Sequence, residues 1–150
     1  MSHTTSIKAI KITDIAALRS AVNELQEMHG IKCSLTENAK PRAYYADQQG
    51  MGIAPYVLVL DNARYDVGFY ESGKTPNGET AYEARTDFFG GTVQQQLGVR
   101  PEGSESADQA RMGKLYQAYG IHATMNALAN QGVGFERTTV EGKEQLIVNY

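Results

Sequence analysis

Between Tyr56 and Phe89 the chain offers three extended segments in succession, and that order leaves few folds open. Tyr56-Val57-Leu58-Val59-Leu60 is an unbroken apolar run, and Tyr65 to Tyr70 alternates in polarity behind a four-residue connection. Thr80 to Asp87 alternates again. A two-residue period sends successive side chains to opposite faces, and short connections join antiparallel neighbours. The stretch therefore reads as an antiparallel meander. With Glu71 opposite Thr80, Phe69 falls opposite Tyr82 and Asp66 opposite Arg85.

The flanking segments add helices. Ser6 to Ile12 reads as a strand, after which Thr13 or Asp14 caps a helix. Ile15, Leu18, Val22, Leu25 and Met28 recur at spacings of three and four, which is one stripe of an amphipathic helix closed by Gly30. Ile31 to Leu35 returns as a short strand, completing a β-α-β opening. Glu37 to Pro55 follows neither period and reads as an irregular loop. Thr92 to Leu97 suits one or two helical turns, and Val99 to Ser106 is a loop rich in Pro, Gly, Ser and Glu. Ala107 to Gln131 reads as a long helix with Met112, Leu115, Tyr119, Ile121, Met125 and Leu128 turned to the core. Gly113 and Gly120 share one of its faces, and close approach to the sheet or to a partner would offset their helix cost of roughly 1 kcal/mol each. Val133 to Val140 and Gln145 to Tyr150 then make a hairpin. The expected fold is a single α+β domain over residues 1–150, a mainly antiparallel sheet with two main helices packed on one face.

Charge and cysteine content narrow the function classes. The first fifty residues hold six Lys/Arg and five Asp/Glu, and each later third holds four against six, for a net charge of −3. The basic footprint of a protein that lives on a phosphate backbone is missing. Cys33 is the only cysteine and alternates with Ile31 and Leu35, so it reads as a small buried side chain in a reducing, cytoplasmic setting. The longest apolar run is about five residues against the roughly 20 that span a bilayer, and Met1 to Ser6 lacks the apolar segment of a secretory signal.

One motif invites a specific chemistry. Gly68-Phe69-Tyr70-Glu71-Ser72-Gly73-Lys74-Thr75 spells G-x-x-x-x-G-K-[ST], the phosphate-binding loop. That loop works because a strand ends before its first glycine and a helix starts at its lysine, aiming backbone N–H groups at phosphate. Here Gly68 to Tyr70 continues a strand, and Pro76-Asn77-Gly78 reads as a turn where the helix must propagate. The string therefore reads as an accidental match on a hairpin tip.

The remaining candidates are scattered. His122 lies one turn after Tyr119 on the helix face of Met112 and Leu115, either as an acid–base group or hydrogen bonder in a pocket between helix and sheet, or as a partly buried histidine satisfied by a backbone or carboxylate partner. Asp66, Glu83, Arg85 and Asp87 project from one face of the meander. As a site they would bind a cation or polar ligand, and as structure Asp66 and Arg85 would form a cross-strand ion pair. Tyr44 and Tyr45 in the irregular loop are the best placed of the nine tyrosines for ligand contact. No residue pattern nominates a nucleophile, a metal site or a cofactor.

Several strings resemble an uncharacterised family of conserved hypothetical proteins from algal plastids and cyanobacteria, with bacteriophage relatives. They are Met1-Ser2-His3 before Ser6-Ile7-Lys8 with the helix from Asp14 to Leu25, then Tyr65-Asp66-Val67-Gly68-Phe69 and Asp87-Phe88-Phe89-Gly90. Tyr119-Gly120-Ile121-His122 and Gln131-Gly132-Val133-Gly134-Phe135 complete the set. The chain departs from the pattern at Lys40 to Pro55, Lys74 to Gly78 and Gly98 to Asp108, which points to a divergent, phage-encoded member. The resemblance implies the α+β fold and leaves the function open.

The expected function is that of a non-enzymatic accessory protein binding a protein partner or a small polar ligand through Tyr44, Tyr45, Asp66, Lys74, Arg85, Tyr119 and His122. A nucleotide-binding or nucleotide-hydrolysing enzyme using Lys74 and Thr75 is the first alternative. Single-strand nucleic-acid binding through tyrosines and Lys8, Lys11, Lys32 and Arg42 is the second. Self-association stays open.

Overall fold

The computed structural model describes residues 4–43, 52–99, 110–141 and 143–149. Strand β1 (Thr4–Ile12) leads to helix α1 (Ile15–Met28), and four strands follow: β2 (Cys33–Ala39), β3 (Ala54–Leu60), β4 (Val67–Lys74) and β5 (Thr80–Asp87). A 3-10 turn at Phe89–Gly91 enters the short helix α2 (Thr92–Leu97). Another at Ala110–Met112 enters α3 (Gly113–Asn130), and the hairpin β6 (Gly134–Val140) with β7 (Lys143–Asn149) completes the order. The α+β architecture is as expected.

The sheet runs β1-β5-β4-β3-β2, and each neighbouring pair is antiparallel. The β-α-β opening thus spans the full width of the sheet. α1 carries the chain from one edge to the other, and the meander then walks back until β5 lies beside β1. Asp14 caps α1 as its stripe predicts, its carboxylate accepting from Ala17 N at 3.0 Å. Ala17, Leu18, Ala21, Val22 and Leu25 are buried against the sheet and against Leu115, Ala118 and Tyr119 of α3. On the sheet side the core is built from Leu58, Leu60, Val67, Phe69 and Ala84, with Cys33 and Tyr65 at its margin. Burial, and next to it the charge of Asp61, pushes the Cys33 thiol up to about 11.

Register is where expectation and structure part. Lys74, not Glu71, faces Thr80, so Glu71 lies opposite Tyr82, Phe69 opposite Ala84 and Gly68 opposite Arg85. β4 extends to the very base of the turn, and a bulge between Glu71 and Gly73 takes up the extra residue. Gly73 sits there at φ +145°, a backbone setting that side-chain-bearing residues avoid. β2 runs on to Ala39 and β3 starts at Ala54, so the irregular segment is shorter than its composition suggests.

The two helix glycines have different causes. A Cβ on Gly113 would stand 2.7 Å from Cγ1 of Val99, so close approach is to the loop after α2 and not to the sheet. Nothing lies within 4 Å of the same position on exposed Gly120.

Candidate functional site

Every letter of the phosphate-loop string is used by the hairpin. Gly68 makes room for an aromatic ring: a Cβ there would meet Cε2 of Tyr70 at 2.6 Å. Gly73 supplies the bulge. Lys74 Nζ donates to Thr80 Oγ1 across the strand pair at 2.8 Å. Thr75 closes the turn, its N–H donating to Glu79 O at 2.8 Å and its hydroxyl accepting from Glu79 N at 3.1 Å. No helix begins at Lys74, so the backbone donors that cradle phosphate are not gathered there.

Asp66 is held by Arg42 and not by Arg85. Its nearly buried carboxylate accepts from Arg42 N at 2.8 Å, from Arg42 Nη2 at 2.7 Å and from Leu60 N at 3.2 Å. The two main chains also bond, Asp66 N donating to Arg42 O at 3.0 Å. Arg42 Nη2 donates further to Leu60 O at 2.7 Å. The hydrogen bond to Asp66 is the main cause that raises the Arg42 pKa. This cluster locks the residues after β2 to the β3–β4 connection, and its acceptor atoms are already engaged. The cross-strand pair expected from sequence is absent because Asp66 lies just before β4 and faces the preceding connection.

Tyr119 and His122 both reach α1. Tyr119 Oη accepts from Thr13 N at 2.9 Å and from Asp14 N at 3.1 Å, serving two of the donors that the start of α1 leaves open. His122 Nε2 lies 3.0 Å from Glu24 Oε1. Arg137 of β6 grips the same carboxylate with both terminal nitrogens, at 2.6 Å to Oε1 and 3.0 Å to Oε2. Arg137 first, and His122 after it, hold the Glu24 pKa below the ordinary carboxylate range against the opposing effect of burial. The bland reading of His122 is the one the structure takes. Sequence reasoning missed Glu24 and Arg137, although a carboxylate between Ala21 and Leu25 on the apolar stripe was a visible signal.

Among the described candidates, Arg85 comes nearest an open concavity, through its partner Glu83. It lies on the sheet face away from the helices, its guanidinium 4.6 Å from the centre of the Tyr70 ring and 3.0 Å from Glu83 Oε1. Burial raises the Tyr70 hydroxyl pKa, and the charge of Arg85 partly opposes it. Beside this stack, Lys11, Glu71, Ser72 and Glu83 line a hollow of about 410 Å³. Glu83 is largely buried, so one wall carries a carboxyl group held by Arg85. The five expected site residues that are described are thus not brought together. Lys74 is at the hairpin tip, Asp66 at the β3–β4 connection, and Tyr119 and His122 lie on the helix side, while Tyr44 and Tyr45 lie outside the described residues. Among the described residues no cluster of three or more His, Cys, Asp or Glu is placed to hold a metal ion. No helix among them is long and apolar enough to cross a membrane.

Comparison with protein-family models, with curated proteins and with solved structures finds no match to this chain.

Proposed function

We propose that the chain is a non-enzymatic accessory protein, resident in a reducing cytoplasm, whose open sheet face takes up a small polar ligand. The observation that carries this reading is the hollow lined by Lys11, Glu71, Ser72 and Glu83 beside the Tyr70–Arg85 stack. Its volume of about 410 Å³ falls in the range of small-molecule sites, roughly 300–1,000 Å³. Two carboxylates and one ammonium on the rim favour a ligand bearing a cationic group together with an anionic or strongly polar one, such as an amino acid or a related zwitterion. The stack and the Glu83–Arg85 pair fix the back wall before any ligand arrives, which lowers the ordering cost of binding. The hairpin geometry of Gly68 to Thr75 gives the nucleotide-enzyme alternative no support, and the phage-related family resemblance supplies no competing activity.

Titration of labelled protein with arginine, lysine, betaine, putrescine and succinate, followed by backbone amide shifts, tests the reading. Saturable shifts centred on Ser72 and Glu83, reduced at high salt and lost in Glu71→Gln, are expected for at least one cationic member. Amide spectra unmoved at Ser72 and Glu83 by all five compounds would sink it.

A further inference from the structure

The sheet has a second feature, on the helix side and unrelated to that hollow. β2 ends the strand order, so one of its two hydrogen-bonding edges faces no described strand. Lys32 O accepts from Asp61 N, which turns the main-chain groups of Lys32 inward to β3. Antiparallel pairing alternates, so Ser34 and Thr36 follow Lys32 inward while Cys33, Leu35 and Glu37 present their N–H and C=O groups outward. The Cys33 carbonyl is taken by a side chain of α1, with Gln26 Nε2 donating at 2.5 Å in the place an added strand's N–H would occupy. Neither Leu35 nor Glu37 makes an outward main-chain bond to a described residue. Asn38, at φ +52°, then turns the edge away, so the usable stretch is short.

Alongside this edge runs a groove of about 300 Å³. Its walls are Arg19, Val22, Asn23 and Gln26, one stripe of α1, and Ser34 and Leu35 of β2. Val22 and Leu35 give an apolar floor, Asn23 and Gln26 give amides, and Arg19 gives a cation at one end. Arg19 meets Glu37 at 3.3 Å, but both side chains are about half exposed (47% and 56%), so the pair is readily exchanged for another carboxylate.

We propose that the β2 edge and the α1 stripe dock an extended segment of a partner protein by strand addition. The segment's main chain bonds to Leu35 and Glu37. One aliphatic side chain rests on Val22 and Leu35, and an acidic side chain reaches Arg19. A helix beside an open strand is the arrangement in which main-chain bonds supply affinity and alternate side chains supply choice. Complementary charge at Arg19 and the outward groups of Leu35 and Glu37, which meet no described residue, are what select an acidic-aliphatic strand as the occupant.

Display selection of short random peptides against the folded protein tests this, with binding and amide hydrogen exchange measured on the enriched peptides. Enrichment of alternating acidic and aliphatic residues is expected, with slowed exchange at Leu35 and Glu37. Arg19→Ala should weaken these peptides by about tenfold, or about 1.4 kcal/mol. Glu37→Pro, which deletes an outward N–H that edge strands tolerate losing, should weaken them comparably. Enriched peptides indifferent to both variants, or no enrichment, would overturn the proposal. So would a concentration-dependent dimer abolished by Glu37→Pro, because a second copy would then be the occupant.

Discussion

Replacing Glu24 by glutamine removes the charge on which α1, α3 and the β6–β7 hairpin converge, while leaving the side-chain volume almost unchanged. The carboxylate is engaged at 2.6 and 3.0 Å by Arg137 and at 3.0 Å by His122. A hydrogen bond to a charged group contributes about 1.5–3 kcal/mol, and breaking one partner of a buried pair costs about 3–5 kcal/mol. Arg137 and His122 keep 22% and 20% of their side-chain surface exposed, so water recovers part of that loss. Glu24→Gln should therefore destabilise the protein by about 2–3 kcal/mol at pH 7, measured by urea unfolding. The pH dependence follows from the depressed folded-state pKa of Glu24. Its contribution is complete above the unfolded carboxylate value of about 4.3 and is lost as pH falls through the folded value. The gap between wild type and Glu24→Gln should close across that acidic window. A deficit below about 0.5 kcal/mol at neutral pH, or a gap that persists undiminished below the carboxylate range, would refute this account of how the hairpin is held.

Two further substitutions probe the helices. Tyr119→Phe strands the Thr13 and Asp14 N–H groups at the start of α1 and should cost about 1–3 kcal/mol in the same assay. Its companion is a loss of exchange protection confined first to the α1 N-terminus. Gly120→Ala should stabilise by about 0.5–1 kcal/mol, since the position is helical, exposed and open for 4 Å around an added Cβ. A rise in thermal midpoint checks it, and a fall would mean that the bare backbone at Gly120 serves an unseen contact.

The sequence disclosed elements more readily than it disclosed partnerships. The α1 stripe from Ile15 to Met28, the apolar run of β3 and the turn residues after Lys74 each state their conformation locally, because period and turn chemistry are properties of a few neighbours. Lys74 misled only as a motif. Its own neighbours, Pro76, Asn77 and Gly78, already argued for the turn that forms. Register was harder, since it depended on where the bulge would fall. Gly73 can be read as a turn residue or as the bulge it turns out to be, and the choice moves Arg85 from Asp66 to Gly68. Ion pairs were hardest. Glu24 finds His122 and Arg137 at separations of 98 and 113 residues, and Asp66 finds Arg42 at 24. Nothing in the immediate surroundings of any of these side chains names its partner. The hollow beside Tyr70 was hidden for the same reason, because Lys11 and Glu71 meet only once β1 has been laid against β5.

That last pairing sets a schedule. Thr4 lies opposite Asp87, whereas β2 through β5 each find a neighbour one short connection away or across a single loop. On a ribosome adding about 5–20 residues per second, the opening strand waits several seconds before its complement has been made. The meander is free to assemble meanwhile, with the outer rim of β5 bare to any strand that drifts past. When the nine residues of β1 swing in, they act as a stopper. The chain seals that rim with a strand made before the one it covers.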